Sequence, residues 1–252
     1  MLLFHAILYL FVVGLTLGSF YNVVGMRVVA GQSIITPPSH CTSCGRRLTI
    51  RDLVPVFSWL FLRGRCRTCG AKISPLYPII EAATGLLFVG SFLHATSLTA
   101  MLTGWILVSL LMIVTVTDME EMIVPDKIVL FFFVLAIIFR LICPTAPWWN
   151  AFLGGATGFT LLLAIALLSR GGMGGGDVKL FAVLGLLVGF KLVLIGFFFS
   201  TFYGALIGGI GRLSGKIKPK QPVPFVPFIA LGMLTAFFFG DWLFSAYMQL
   251  FS

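Results

Sequence analysis

Long apolar stretches, most of them close to the length that crosses a lipid bilayer, constrain this chain more than any other feature. A spanning helix needs about 20 predominantly apolar residues. Of the 252 residues, 59% are hydrophobic and only 10% charged, so a water-soluble fold would expose more apolar surface than soluble monomers tolerate. The sequence therefore predicts an all-α integral membrane protein with about eight transmembrane helices. The candidate runs lie near 2–26, 76–95, 99–117, 127–143, 150–169, 178–190, 193–211 and 223–250.

The positions of the basic residues predict the topology. The net charge of +9 could suggest a nucleic-acid partner, but the Lys and Arg residues cluster in loops between apolar runs. If the N-terminus lies outside, 15 of the 17 basic residues fall on the cytoplasmic face, and only Arg140 and Lys191 lie outside. This agrees with the positive-inside rule and argues against nucleic-acid binding. The cytoplasmic segments would be 27–75, 118–126, 170–177 and 212–222.

The first apolar run is predicted to be a retained helix, because it lacks the basic n-region and small-residue cleavage site of a signal peptide. We therefore divide the chain into a first transmembrane helix (1–26), a cytoplasmic domain (27–75) and a polytopic membrane domain (76–252). The break between helices within 178–211 is the least defined boundary. Gly185, Gly189 and Lys191 are its candidate positions.

Four cysteines in the first loop have the spacing of a metal site. Cys41 and Cys44 form one C-x₂-C pair, and after a gap of 21 residues Cys66 and Cys69 form a second. This spacing is typical of Cys₄ zinc ribbons, and four soft sulfur ligands suit Zn²⁺. Two disulfides are the alternative, but they are rare in the reducing cytoplasm. The loop is therefore predicted to be a small zinc-ribbon-like insertion.

Two aspartates at the borders of apolar runs are the strongest catalytic candidates. Ionisable groups near the hydrocarbon core are costly and usually functional. Asp118 ends one run and Asp177 begins another, so chain direction brings both to the cytoplasmic leaflet. Two carboxylates about 4 Å apart would repel by roughly 4 kcal/mol at an effective dielectric constant of about 20, and would share one proton. Such a pair can activate water and polarise a peptide carbonyl.

The glycines before Asp177 fit the same interpretation. Gly174 and Gly176, without side chains, would let an extended substrate backbone approach the carboxylate. A phosphate-binding loop is excluded because the sequence continues with Asp177 and Lys179 rather than with GK[ST]. Asp126, which follows a proline and precedes an apolar run, is predicted to cap a helix.

Taken together, these motifs resemble the prepilin peptidase family, also called type IV leader peptidases, which are membrane aspartyl proteases with a GxGD motif. The resemblance covers essentially the whole chain. It rests on Gly18-Ser-Phe-Tyr-Asn22, the cysteine quartet, Tyr77-Pro-Ile-Ile-Glu81, Asp118 with Pro125-Asp126, and Gly174-Gly-Gly-Asp177-Val-Lys-Leu180.

The resemblance implies a bacterial inner-membrane enzyme that cleaves the basic leader of prepilins or pseudopilins on the cytoplasmic side, with Asp118 and Asp177 catalytic. Asp126, Gly174, Gly176 and Lys179 would belong to the substrate-binding motifs. Many family members also methylate the new N-terminus with S-adenosylmethionine, an activity associated with the first cytoplasmic loop. Gly64 and Glu81 are the candidates for that cofactor site.

Two other functions stay open at the level of sequence. Asp118 and Asp177 could relay protons or bind a cation in a transporter, although transport sites usually lie near the midplane and no inverted repeat appears. The chain could also be a non-catalytic assembly protein that recruits partners through its cysteine domain. The sequence does not indicate an oligomeric state.

Overall fold

The helices follow the apolar runs of the sequence. The structure, a computed structural model, describes residues 1–169, 174–215, 218 and 223–250. Its described residues contain helices but no β-strands, which confirms the predicted fold class. The helices are α1 (Leu2–Val29), α2 (Phe57–Phe61), α3 (Leu76–His94), α4 (Leu98–Glu121), α5 (Asp126–Ile142), α6 (Asn150–Leu168), α7 (Gly175–Val188), α8 (Phe190–Leu213) and α9 (Val226–Gln249).

Each of the eight predicted runs corresponds to one long helix. Within the described residues, six of these helices are long and apolar enough to cross a membrane, namely α1, α3, α4, α6, α8 and α9. The other two are shorter, with 17 residues in α5 and 14 in α7. The protein is thus a multi-pass membrane protein, and the count of eight spans is approximate.

Gly189 separates α7 from α8 within the segment where the sequence left the break open. Its φ of +83° lies in the region that favours glycine. A Cβ atom there would approach the Asn150 side-chain amide to 2.7 Å. The Asn150 Oδ1 atom accepts the Phe190 backbone N–H at 3.1 Å, which satisfies a donor at the start of α8.

The chain folds as two compact units, Met1–Thr96 and Ser97–Ser252. In the first, α1 packs against α3 at glycines: a Cβ atom on Gly14 would lie 2.7 Å from the Gly85 Cα atom. The second unit contains α4 to α9, with extensive packing of α6 on α7 and of α8 on α9. Both predicted catalytic aspartates belong to this second unit.

Glycines bring the backbones of α6 and α7 into direct contact. A Cβ atom on Gly185 would lie 2.1 Å from the Gly154 carbonyl oxygen, and one on Gly158 would lie 2.4 Å from the Phe181 carbonyl oxygen. Only glycine permits this approach, as expected for helix packing in membranes. The contact positions α7, whose first turn carries Asp177.

We expect the Gly185→Ala substitution to destabilise the second unit, because the added methyl group would collide with backbone and force α6 and α7 apart. Overpacking of this kind costs about 1–3 kcal/mol, or roughly 2–12 °C in unfolding temperature. Thermal unfolding in detergent would measure it. Gly208→Ala is the matched control, since a Cβ atom there meets nothing within 4 Å. Equal unfolding temperatures for the two variants would contradict the packing argument.

Arg140, one of the two basic residues predicted to lie on the outer side, is buried in the last turns of α5. Its Nε atom donates to the Leu186 carbonyl oxygen at 3.2 Å, and its Nη2 atom donates to the Leu187 carbonyl oxygen and to Thr103 Oγ1. These carbonyls belong to the last turn of α7, where a cation also complements the helix dipole. Arg140 therefore caps the short helix that presents Asp177 at its other end.

Several features used in the sequence interpretation lie outside the described residues. They are Arg170 and the first part of the glycine stretch (171–173), together with most of the basic loop after α8 (216, 217 and 219–222).

Candidate active site and cysteine cluster

Asp118 is buried near the end of α4, with 5% of its surface exposed. The helix continues for about one turn beyond the apolar run and ends at Glu121, so Asp118 lies inside the helix and not after it. Its Oδ2 atom accepts the Val226 backbone N–H at 2.9 Å. Val226 is the first residue of α9, where the helix dipole and free N–H groups favour a negative charge.

Asp177 lies in the first turn of α7 and is half-buried. Its backbone N–H donates to the Gly174 carbonyl oxygen at 3.2 Å, which fixes the start of the helix. The helices α4 and α7, which carry the two aspartates, pack against each other. The structure thus places the two aspartates that the sequence paired on helices in contact, one near the end of α4 and one at the start of α7.

The three glycines before Asp177 are in different environments. A Cβ atom on Gly176 would lie 2.9 Å from the Val124 Cβ atom, so this glycine is required by packing against the α4–α5 loop. One on Gly174 would lie 3.9 Å from the Asp177 Oδ2 atom, and one on Gly175 would meet nothing within 4 Å. Among the described residues, a Cβ atom on Gly174 would thus contact only the Asp177 carboxylate.

Asp126 and Lys179 join the start of α5 to the first turn of α7. The Lys179 Nζ atom lies 2.8 Å from Asp126 Oδ1, and both side chains are exposed. An exposed ion pair of this kind contributes about 0–1 kcal/mol to stability. Asp126 makes no capping hydrogen bond to α5, and Pro125 occupies the N-cap position. The capping prediction for Asp126 is therefore wrong, because its carboxylate pairs with the neighbouring helix instead.

An apolar groove of about 710 Å³ lies between α5, α6 and α7. Asp126 and Lys179 line its polar end, and the rest is aliphatic and aromatic, including Phe133 and Phe159. Asp118 and Asp177 do not line it. The groove is therefore not the site where the two aspartates would act.

The four cysteines of the first loop converge on one point. Their sulfur atoms all lie within 4.8 Å of one another, and Cys41 Sγ is 3.8 Å from Cys69 Sγ. A tetrahedral site with metal–sulfur bonds of about 2.3 Å places its sulfurs about 3.8 Å apart, so the arrangement fits a metal ion. All five cysteines are free thiols, which excludes the disulfide alternative in this structure.

Two equivalent knuckles build the cluster. Cys41 N–H donates to the Arg46 carbonyl oxygen and Cys66 N–H to the Ala71 carbonyl oxygen, each five residues further on. Gly45 and Gly70 occupy the same position in the two turns, with φ values of +69° and +70°. The glycine after each C-x₂-C pair thus supplies the left-handed backbone that the turn requires.

The backbone of each knuckle favours thiolate at its first cysteine. The N–H groups of Cys69 and Thr68 lower the pKa of the Cys66 thiol to about 6. Those of Cys44 and Ser43 likewise lower the pKa of Cys41. Because thiolates are the metal-binding form, the backbone prepares the first cysteine of each knuckle to bind a metal.

Asp52 connects the two knuckles. Its side chain accepts hydrogen bonds from the Thr49 backbone N–H and hydroxyl, and it forms ion pairs with Arg46 and Arg67. Because Arg46 follows the first pair of cysteines and Arg67 lies within the second, Asp52 bridges them. The Thr49 hydrogen bonds and the two arginines hold the pKa of Asp52 below its usual value. This contribution to stability is therefore present at neutral pH and is lost as the pH falls through the lowered pKa.

Gly64 and Glu81 flank α2 in the first unit. Gly64 has a φ of +65°, and a Cβ atom there would lie 2.8 Å from the Trp59 ring. Glu81 is 8% exposed, and its Oε2 atom accepts the Val56 backbone N–H at 2.7 Å. Backbone conformation and packing therefore account for Gly64, and an anchoring hydrogen bond accounts for Glu81. Their predicted role in binding a cofactor stays a prediction.

Sequence reasoning missed two polar contacts at these sites. The Val226 N–H that binds Asp118 is a backbone group, and its only sequence signal is Pro227, which is typical of a helix start. Asn22 is 2% exposed and donates to the Tyr77 carbonyl oxygen at 3.2 Å, joining α1 to α3. Asn22 and Tyr77 belong to motifs that the sequence interpretation quoted without assigning them a contact, whereas Val226 belongs to none of them.

Comparison with known proteins gives two family matches that follow the two units. Residues 12–95 match the bacterial peptidase A24 N-terminal domain, and residues 105–209 match the type IV leader peptidase family. No solved structure matches the chain.

The similar proteins are bacterial enzymes, each named a prepilin leader peptidase/N-methyltransferase. The chain is 42% identical over 241 residues to that of Bacillus subtilis (strain 168), which covers 96% of this chain and 97% of the relative. It is 34% identical over 219 residues to that of Aeromonas salmonicida (strain A449), covering 83% and 74%. With that of Klebsiella pneumoniae, identity is 36% over 195 residues, covering 73% and 85%.

Proposed function

The chain belongs to the type IV leader peptidase family, and on this premise we propose that it removes the leader peptide of type IV prepilins or pseudopilins. The observation that supports the proposal is the position of Asp118 and Asp177 on two helices that pack against each other, one near the end of α4 and one at the start of α7. Cleavage takes place at the cytoplasmic face of the bacterial inner membrane, with the N-terminus outside. The positive-inside distribution of Lys and Arg supports this orientation.

The two aspartates take different parts in hydrolysis. Asp118 accepts an N–H at the start of α9, so it is the ionised member and takes a proton from the attacking water. Asp177 carries the shared proton and donates a hydrogen bond to the scissile carbonyl oxygen. Water adds to the carbonyl carbon, the C–N bond then breaks, and a proton passes to the leaving amine. The two carboxyl groups exchange roles in the process and return to their starting state.

Gly174 leaves room for the substrate backbone beside Asp177. We expect Gly174→Ala to lower kcat/KM for leader cleavage by roughly 10²-fold, because a methyl group beside Asp177 Oδ2 would displace the scissile bond. Gly175→Ala is the matched control, since its Cβ atom meets nothing within 4 Å. Steady-state cleavage of a prepilin peptide measures both variants. Equal losses would show that helix-start flexibility matters and not the space beside Asp177.

The chain also transfers a methyl group from S-adenosylmethionine to the amine that cleavage exposes, as the names of its relatives indicate. We propose that the segment 27–75 carries this activity, with Gly64 and Glu81 at the cofactor site. Glu81 lies in the second turn of α3, where its hydrogen bond to Val56 joins the segment to that helix. Asp126, Lys179 and Gly176 would border the peptidase substrate.

Zinc is the metal that we propose for the cysteine cluster. Four thiolates in a C-x₂-C pair of knuckles match its preferred donors and number. A closed Cys₄ site supplies folding energy and no open position for catalysis. The ion would therefore hold the two knuckles of the segment 27–75 together.

The proposal is tested by incubating the detergent-purified protein with a candidate prepilin and determining the new N-terminus by mass spectrometry. We expect cleavage after a glycine, followed by the gain of one methyl group when S-adenosylmethionine is present. A protein that cuts no member of a panel of prepilins and pseudopilins would return the transporter and assembly functions to consideration. Family membership does not favour either of them.

A further inference from the structure

The short helix α2 has one face packed inward and the other exposed. On the inner face, the Trp59 Nε1 atom donates to the Ile73 carbonyl oxygen at 3.1 Å. Phe57, Leu60 and Phe61, spaced at i, i+3 and i+4, share the opposite face. They are 51%, 56% and 85% exposed. Three large apolar side chains side by side on a loop of a folded unit indicate an interaction surface.

A hydrogen bond fixes the depth of α2 relative to the membrane-spanning helices of its unit. The Val56 N–H, immediately before α2, donates to Glu81 Oε2 at 2.7 Å. Glu81 lies five residues, or about 8 Å, beyond the first residue of α3. The 19 residues of α3 span about 28 Å, close to the thickness of the hydrocarbon core. Glu81 therefore lies about 8 Å inward from the start of α3, and its hydrogen bond holds the start of α2 near the depth of about 5–10 Å to which interfacial helices bury their apolar face.

The charge around α2 matches that of an anionic lipid surface. The segment 27–75 contains eight Lys or Arg residues and a single acid, Asp52, which is bound to Arg46 and Arg67. Arg51 and Arg63 precede and follow α2, and both are exposed. Aromatic and aliphatic side chains next to basic residues are typical of segments that lie in the membrane interface.

We propose that α2 is a membrane-surface anchor of the loop. Phe57, Leu60 and Phe61 insert at the boundary between headgroups and acyl chains, while Arg51 and Arg63 bind the phosphate groups of anionic lipids. The occupant of the exposed face is thus the lipid of the same membrane that α1 and α3 cross. Such an anchor would hold the cysteine cluster close to the bilayer surface.

Photo-crosslinking of the full chain in nanodiscs tests the anchor. A benzoylphenylalanine residue replaces Phe61, and the discs contain equal parts of phosphatidylglycerol and phosphatidylcholine. Leu86, which is 63% exposed on α3, is the lipid-facing control, and Ser43, exposed in the first knuckle, is the water-facing control. Each variant is first shown to elute from a size-exclusion column at the same volume as the wild type and to retain the same amount of metal.

We expect position 61 to form lipid adducts within about threefold of position 86, and position 43 to form at least about tenfold fewer. Adducts at position 61 as rare as those at position 43 would overturn the proposal. Adducts formed with protein in place of lipid would do so too, since they would mean that a partner or a second copy covers this face.

The arginines are tested by the lipid composition of the adducts. Adducts at position 61 are expected to contain more phosphatidylglycerol than phosphatidylcholine. Replacing Arg51 or Arg63 with glutamine should reduce this preference by up to about fivefold for each residue. If the lipids in the wild-type adducts have the same composition as the disc, the arginines do not bind headgroups. The same conclusion follows if neither substitution changes the preference for phosphatidylglycerol.

Discussion

Replacing either Asp118 or Asp177 with asparagine is expected to lower kcat/KM for prepilin cleavage by at least about 10³-fold. Asparagine is nearly isosteric with aspartate but can neither take a proton from water nor donate an acidic one, and each role contributes about 10²–10⁴-fold. Because the two carboxyl groups act as a unit, the double variant should be no worse than the more damaging single one. Cleavage under single-turnover conditions measures all three variants.

Asp241→Asn is the matched control. Asp241 is an exposed residue of α9 that pairs with Lys191, and it lies outside the proposed site. We expect its cleavage rate to equal that of the wild type. Transfer of a methyl group to an already processed N-terminus provides a second control, because the segment proposed to carry it belongs to the first unit. Full cleavage by Asp118→Asn or Asp177→Asn would exclude the aspartate pair as the catalytic centre.

Much of this fold follows from composition along the chain. The eight long helices lie where the apolar runs are, because each run must bury its backbone polar groups within one helix to cross lipid. The cysteine cluster follows from two C-x₂-C pairs, each with a glycine whose positive φ closes the turn. The pairing of Asp118 with Asp177 follows from chain direction, which returns the start of α7 to the membrane face where α4 ends.

The contacts that complete the site depend on three-dimensional packing and are not encoded in a local pattern. Asp118 binds the Val226 N–H, a backbone donor 108 residues away in sequence. The sequence indicated only that Arg140 lies on the outer side, whereas the structure shows it buried as a cap for α7, since the Leu186 and Leu187 carbonyls need donors there. Asp126 looked like a helix cap but pairs with Lys179, which only the packing of α5 on α7 brings near.

A contact in the first unit also could not be predicted from the sequence. Nothing in the sequence near residue 56 indicates that its N–H reaches Glu81, because the donor is backbone and the acceptor is 25 residues away. Glu81 is identified from sequence only as an acid within an apolar run, for which a functional role is the default expectation. The structure adds anchoring hydrogen bonds from the Val56 backbone N–H and the Ser19 side chain.

The second large effect is expected at the cysteine cluster. Purified wild-type protein should contain about one zinc ion per chain, and Cys41→Ser and Cys66→Ser should each reduce this to near zero. Each substitution removes the first cysteine of a knuckle, the residue whose pKa the backbone N–H groups lower. In zinc-finger peptides, the apparent free energy of zinc binding is about 10–16 kcal/mol, and this binding free energy also stabilises the fold. The segment 27–75 should therefore become sensitive to limited proteolysis in both variants.

Cys143→Ser is the matched control for the loss of metal, because Cys143 is half-buried at the end of α5 and lies outside the cluster. Elemental analysis compares the three variants with the wild type. We expect the two cluster variants to lose methyl transfer and to retain cleavage, since Asp118 and Asp177 belong to the other compact unit. A wild-type protein with negligible zinc would exclude the metal. Equal loss of both activities would show that the aspartate pair depends on the folded cysteine domain.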